Sequence, residues 1–267
     1  MNYPRIIAHR CGGALAPENS LVGLGIAARL GCRGVEFDVM LSADGVPLLI
    51  HDETLDRTTT GSGRVAELSA HQIRQFDANS RHHKAYGGEA GNSQSNALRL
   101  GSASDVQSRH STPIPTLEEA MEHIERLGLW ANIEIKPATG FETATGITVG
   151  RWLARHWNGQ GVISSFAQDA VLAAMHETQP QRPEFRYAAL FEKLPADWSS
   201  VLARTSADGV HLAATHVTSR EADELNTLGV QWACYTVNSL HEAERLFALG
   251  CKAIFTDRPD LWRASEM

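Results

Sequence analysis

The sequence predicts an α/β fold, a TIM (β/α)8 barrel formed by residues 1–267 as one domain, with an additional hairpin arm and an insertion after the second strand. Two observations carry this expectation. Short runs rich in β-branched residues alternate with longer segments of helical period through most of the chain, the pattern of βα units in a parallel sheet. At 267 residues, 43% of them apolar, the chain has the size of one such barrel, and no Pro/Gly-rich linker divides it near its middle.

In chain order, the strand-like runs are Ile6 to His9, Val35 to Val39, Pro47 to His51, Asn132 to Lys136, Val162 to Ser165, Tyr187 to Leu190, Gly209 to Leu212, Trp232 to Val237 and Ala253 to Thr256. A closed barrel of this type uses one fewer. Only the turn Ser42-Ala43-Asp44-Gly45 separates Pro47 to His51 from the run before it, too little chain for a parallel crossover. That run is therefore read as the return arm of a hairpin, which brings His51 back level with Phe37 and Asp38. The remaining strands are each followed by a helical pattern, such as Leu21 to Leu30, Thr116 to Leu127 or Ser239 to Leu249. Between about residues 77 and 112 the composition turns to Gly, Ser, Asn, His and Arg without periodicity, an insertion that reads either as a surface loop or as a substrate lid.

A formal net charge of -7 and scattered Lys and Arg argue against a nucleic-acid partner, which would call for a basic stripe. The N-terminal residues lack the charged and apolar regions of a signal peptide, and no apolar run approaches the roughly 20 residues of a membrane span. The expectation is a cytoplasmic chain with no membrane attachment. Cys11, Cys32, Cys234 and Cys251 form no CxxC pair, and reduced thiols are expected.

Alternation in Gly34-Val-Glu-Phe-Asp-Val39 puts Glu36 and Asp38 on one face and Val35, Phe37 and Val39 on the other. With the apolar face toward the helices, the carboxylates point into the barrel, where unpaired charge is costly. Asn132-Ile-Glu-Ile-Lys136 repeats the pattern and adds Glu134, with Lys136 on the same face nearer the rim. Three carboxylates without a thiolate suit a hard divalent cation, Mg²⁺ first and Ca²⁺ or Mn²⁺ after it. The competing reading is a structural network of these acids with Lys136, Arg10 or Arg33.

His9 and His51 each close a strand, where barrel enzymes place catalytic groups, and two imidazoles can serve as general acid and base. His211 also lies on a strand and is a candidate for the pocket. Arg10 offers a planar fork for phosphate, and Gly12-Gly13 would let backbone N–H groups approach an anion. Asn19 or Ser20 suits the N-cap of the following helix, with Glu18 as a neighbouring partner of the site.

Taken together, His9-Arg10-Cys-Gly-Gly, Pro17-Glu18-Asn19-Ser20, Glu36-Phe-Asp38-Val, Asp44-Gly45, His51-Asp52-Glu-Thr-Leu-Asp-Arg57-Thr58-Thr59, Asn132-Ile-Glu134-Ile-Lys136-Pro, Ser164-Ser165-Phe166 and Tyr235-Thr236-Val237-Asn238 resemble glycerophosphodiester phosphodiesterases, closest to the cytosolic bacterial type. The resemblance extends over nearly the whole chain. It implies a TIM barrel with an insertion after the second strand, a divalent metal, and cleavage of small-molecule glycerophosphodiesters to sn-glycerol 3-phosphate and an alcohol. It makes Glu36, Asp38 and Glu134 metal ligands, His9 and His51 the acid/base pair, and Arg10 and Lys136 phosphate contacts. Phe166 and Tyr235 become pocket walls, and Glu18, Asn19 and Asp52 partners of these groups. The chain departs from the family pattern at Cys11, where glycine is usual, at Ser20 for threonine, and at Tyr235, where many members carry tryptophan. Cys11 so close to Arg10 suggests either a narrowed approach to phosphate or sensitivity to oxidation.

Overall fold

The computed structural model describes residues 1–78, 111–157 and 160–262. Its strands are β1 (Ile6–Ala8), β2 (Gly34–Leu41), β3 (Pro47–Leu49), β4 (Trp130–Ile135), β5 (Gly161–Ser165), β6 (Tyr187–Phe191), β7 (Gly209–Ala213), β8 (Gln231–Tyr235) and β9 (Ala253–Thr256). All but β3 pair in parallel, in the order β1, β9, β8, β7, β6, β5, β4, β2, and β1 pairs with β2 to close the barrel. The α/β barrel expected from the strand–helix alternation is thus present.

Period-2 alternation sorts the side chains into two apolar layers. Val35, Phe37 and Val39 of β2 and Ala131, Ile133 and Ile135 of β4 face outward and join the core between sheet and helices. Inside the barrel, Trp130 and Phe255 pack with Ile7, Val162, Ala188, Ala233 and Ala253. Large rings set against alanines fill this floor, in the way barrel interiors are plugged by side chains. Glu36, Asp38 and Glu134 also point inward, and polar residues there are tolerated only with partners.

The hairpin arm has a core of its own. β3 runs antiparallel to β2 with Val39 opposite Leu49 and Leu41 opposite Pro47. Its turn is closed by Ser42, whose Oγ donates to Asp44 Oδ1 at 2.6 Å, and Gly45 takes the left-handed φ of 77° that the turn requires. On its other edge Leu49 N donates to Pro115 O at 2.9 Å, and Leu48 bridges to Thr116. Met40, Leu48, Ile50, Leu55, Val65 and Ile73 pack into a separate apolar cluster beneath it. This places the arm by packing and hydrogen bonding on both sides, so that the residues just beyond it are held at the barrel rim.

The expected insertion at about residues 77–112 falls, from 79 to 110, outside the described residues. Its two ends meet: Ala78 N donates to Thr112 O, and Thr112 N to Asp77 Oδ1, both at 2.9 Å. Helix Leu117–Leu127 follows, started by a Thr116/Glu119 capping box and ended by Gly128 at φ 64°. No helix among the described residues is long and apolar enough to cross a membrane.

Candidate active site

Parallel register sets Asp38 opposite Glu134 and Glu36 opposite Asn132 on the neighbouring strands β2 and β4. Ligand atoms of Glu36, Asp38 and Glu134 all lie within 4.8 Å of one another at the C-terminal mouth of the barrel. Burial, with Asp38 and Glu134 as like-charged neighbours, pushes the Glu36 carboxyl well above the usual range. Burial and Asp38 likewise push Glu134 up to about 7. Asp38 goes the other way: burial is outweighed by the charges of His51, Arg10 and Lys136 and by the Asn19 amide. Asn19 grips it twice, its Nδ2 donating to Asp38 Oδ2 at 2.9 Å and its Oδ1 accepting from Asp38 N at 3.1 Å. Glu36 Oε1 is buried and accepts no hydrogen bond from the described residues. A compact, all-oxygen set with such an acceptor fits a hard divalent cation.

The loop after β1 brings its side chains to this cluster by left-handed turns at non-glycine residues: Arg10 at φ 48°, Cys11 at 73° and Asn19 at 55°. Each costs roughly 1 kcal/mol, the kind of strain that collects at functional sites. Arg10 N donates to Glu36 Oε2 at 2.8 Å, and its Nη1 to Glu18 Oε1 at 3.0 Å. Its Nε lies 3.8 Å from Asp38 Oδ2. Lys136 Nζ stands 3.4 Å from Glu134 Oε1 and 4.0 Å from Asp38 Oδ1. Of the two capping candidates, Ser20 takes the cap, accepting from Gly23 N at 3.1 Å, which leaves Asn19 for Asp38.

Both imidazoles neighbour the acids, His9 by Glu36 and His51 by Asp38, and each is held by a carboxylate at Nδ1. His51 Nδ1 pairs with Asp52 Oδ1 at 2.6 Å, and His9 Nδ1 with Asp257 Oδ1 at 2.7 Å. With Nδ1–H donated to its carboxylate, each ring keeps Nε2 as its free basic nitrogen. His9 Nε2 is 3.8 Å from Glu36 Oε2. Burial holds the His51 imidazole below its ordinary value, Arg10 and Lys136 acting in the same direction and Asp38 and Asp52 against it. Phe166, 45% exposed, stands edge-on to Tyr235 at 5.8 Å between ring centroids, and Lys136 Nζ lies 5.6 Å from the Phe166 ring. Tyr235 is fixed by its hydroxyl, which donates to Phe191 O at 2.9 Å.

Three expectations are corrected. His211 is not brought to the carboxylates. It is 1% exposed in the barrel floor, where its Nε2 meets the Tyr3 hydroxyl at 2.9 Å and its ring packs on Phe255. Burial alone pushes its pKa down to about 3, so it is a neutral core residue. The Gly12 and Gly13 amides do not await an anion, since they donate to Arg10 O at 3.0 Å and His9 O at 2.7 Å. These glycines serve close packing: a Cβ on Gly12 would meet Gly23 Cα at 2.7 Å, and one on Gly13 would overlap the Asp257 backbone. Cys11 neither narrows the phosphate approach nor offers a reactive thiol. Its left-handed backbone turns the side chain into the outer core, fully buried, and burial with Glu36 and Asp38 nearby drives its pKa well up.

Asp257 was not singled out from sequence, and Arg57 and Asn238 stood in the quoted motifs without a role. Asp257 follows the last barrel strand, as His9 follows the first, and Asn238 Nδ2 donates to its Oδ2 at 3.1 Å while Asn238 Oδ1 accepts from its N at 2.8 Å. Its place at the end of β9 was the available signal. Arg57 sits inside the run His51-Asp52-Glu-Thr-Leu-Asp-Arg57 and bonds both Asp52 and Glu18.

The sequence profile described as the glycerophosphoryl diester phosphodiesterase family matches residues 9–261. A glycerophosphodiester phosphodiesterase of Caldanaerobacter subterraneus is 28% identical over 259 residues, 96% of this chain and 94% of the relative. One from Bacillus subtilis is 27% identical over 265 residues, 96% of this chain and 84% of the relative. Among solved structures, a phosphodiesterase of Oleispira antarctica, in complex with the product sn-glycerol 3-phosphate, superposes with a TM-score of 0.82 at 30% identity, covering 97% of this chain and 94% of that one. The chain belongs to the glycerophosphoryl diester phosphodiesterase family of phosphoric diester hydrolases.

Proposed function

We propose that the chain hydrolyses soluble glycerophosphodiesters, such as glycerophosphocholine or glycerophosphoethanolamine, to sn-glycerol 3-phosphate and an alcohol. In this reading the reaction depends on a divalent cation, Mg²⁺ first, and uses His9 and His51 as its acid/base pair. The observation that carries it is the pairing of each imidazole with a carboxylate at Nδ1 beside the Glu36, Asp38 and Glu134 cluster, His9 Nε2 lying 3.8 Å from Glu36 and the His51 charge acting on Asp38. The Oleispira relative, whose structure holds sn-glycerol 3-phosphate, supports the choice of product.

Glu36, Asp38 and Glu134 would hold the cation, which supplies Lewis-acid neutralisation of phosphoryl charge when bound. Arg10 and Lys136 flank the acids and offset the negative charge that grows on the phosphoryl oxygens. One histidine removes the proton of the glycerol 2-hydroxyl through Nε2, and that oxygen attacks phosphorus. The other protonates the departing alcohol oxygen as its bond to phosphorus breaks. Water then opens the five-membered cyclic phosphate, with the two imidazoles exchanging roles. Asp52 and Asp257 keep the ring tautomers fixed and stabilise each imidazolium as it forms. Phe166 and Tyr235 wall the pocket beside Lys136.

Release of sn-glycerol 3-phosphate from glycerophosphocholine and glycerophosphoethanolamine, with Mg²⁺ and after chelation by EDTA, tests the reading. Turnover is expected with Mg²⁺ and lost with EDTA. An analogue lacking the 2-hydroxyl is expected not to react, and its turnover at the parent rate would replace the cyclic route by direct attack of water.

A further inference from the structure

Arg57 stands outside the acid cluster and yet touches both sides of the site. Its Nε donates to Asp52 Oδ2 at 2.6 Å and its Nη2 to Asp52 Oδ1 at 3.0 Å. Toward the first loop, its Nη1 donates to Glu18 Oε2 and its Nη2 to Glu18 Oε1, both at 2.8 Å. Asp52 Oδ1 is also the partner of His51 Nδ1, and Glu18 Oε1 the acceptor of Arg10 Nη1. One guanidinium thus joins the carboxylate that orients an imidazole to the carboxylate that orients a phosphate-facing arginine.

From this geometry we infer that Arg57 is a positioning residue, coupling His51 on the hairpin side to Arg10 on the first loop through their carboxylate partners. The inference rests on the roles proposed above for His51 and Arg10. Two observations favour positioning over plain stability. The Arg57 side chain is 41% exposed against 9% for Glu18 and 25% for Asp52, so it covers the two carboxylates from the solvent side and fills no part of the apolar core. Its fork also makes two bidentate contacts with four of its five N–H donors, a planar geometry that fixes the direction of both carboxylates and that a lysine cannot copy. Without it, Glu18 and Asp52 would face each other as like charges, and Asp52 would swing away from the His51 Nδ1–H. His51 is otherwise faced by Asp38, Arg10 and Lys136, of which Asp38 alone is an acceptor and belongs to the acid cluster.

The experiment compares wild type, Arg57→Lys, Arg57→Ala, Arg64→Ala and His51→Ala as full-length protein with Mg²⁺. For both Arg57 variants kcat for glycerophosphocholine is expected to fall roughly 10- to 100-fold, the scale of a misplacement of about 1 Å. KM is expected to stay within about threefold and the unfolding midpoint within a few degrees. Added guanidinium should restore part of kcat to Arg57→Ala. Arg64, which pairs with Glu53 on the same loop, serves as control, and Arg64→Ala is expected to keep wild-type kcat. Long-range ¹H–¹⁵N imidazole spectra supply a readout independent of turnover. In wild type His51 should be the Nδ1–H tautomer; in Arg57→Ala it should become a mixture, while His9, held by Asp257, keeps its tautomer. An unchanged kcat, an unchanged His51 tautomer, or an equal loss in Arg64→Ala overturns the inference. If His51→Ala is as fast as wild type, the underlying proposal fails instead; an inactive His51→Ala beside a fully active Arg57→Ala sinks only the role of Arg57.

Discussion

Residues of the site are charged against the preference of a barrel interior, and their consequences are measurable. Glu134 titrates at about 7 in the folded metal-free chain and near the ordinary carboxyl value of about 4.3 when unfolded. Between those values the folded state holds the extra proton, so stability of the metal-free protein falls as pH rises through that window, and the loss is complete above about 7. Burial of neutral His211 contributes in the opposite sense up to about pH 6.5, so the fall is read as the difference in thermal unfolding midpoint between wild type and Glu134→Gln from about pH 5 to about pH 8. Mg²⁺ at a hundred times its Kd should restore about 2.7 kcal/mol, or roughly 5–10 °C of midpoint, at the upper end. Glu134→Gln is expected to raise the metal-free midpoint at about pH 8 and to abolish the Mg²⁺ shift. Asp257→Asn removes the negative partner of His9, and kcat is expected to drop at least about tenfold, a share of the roughly 10²–10⁴ that acid–base catalysis supplies. The acids, Lys136, His9 and His51 were legible in sequence because strand alternation and strand ends give their positions. Asp257 was not, because it lies 248 residues from His9 and nothing local announces the pairing. His211 misled for the converse reason: alternation says that a side chain points inward but not at what depth, and its depth is the barrel floor with Tyr3 and Phe255.

At the scale of elements, the hairpin arm and the first loop do the positioning. The arm was legible because its turn is too short for a crossover, and Ile50 N donating to Asp38 O at 3.1 Å places His51 near the height expected. The first loop was legible in its residues but not in its backbone. Gly12 and Gly13 read as an anion cradle, whereas their amides turn inward and their missing Cβ atoms let helix Leu21–Leu30 and Asp257 come close. Cys11 takes a left-handed φ of 73°, a conformation that glycine would adopt without strain. Gly13→Ala is the sharpest probe, since a Cβ there meets Asp257 backbone at a φ of 58°. We expect destabilisation by more than about 1 kcal/mol together with a fall in kcat, because the same displacement moves His9 and its carboxylate. Chemical denaturation and steady-state kinetics on one preparation check both. A loss of stability with kcat retained would separate the loop from the histidine.

For the molecule as a whole, barrel closure assembles the site. β1 pairs with both β2 and β9, so residues from distant parts of the chain meet: Asp257 pairs with His9, and His9 stands beside Glu36. The strand–helix alternation made the barrel readable, and the ordered set of motifs along the chain made the family readable. The loop-to-loop bridge through Arg57 emerged only in three dimensions. The central claim is that this assembled constellation hydrolyses glycerophosphodiesters with a histidine pair. Its most direct test is sn-glycerol 3-phosphate release from glycerophosphocholine by wild type and His51→Ala in Mg²⁺. Release by wild type, with a kcat roughly 10²- to 10⁴-fold lower in a folded His51→Ala, is the predicted result. Equal rates in the two proteins, or no release by wild type, would contradict it.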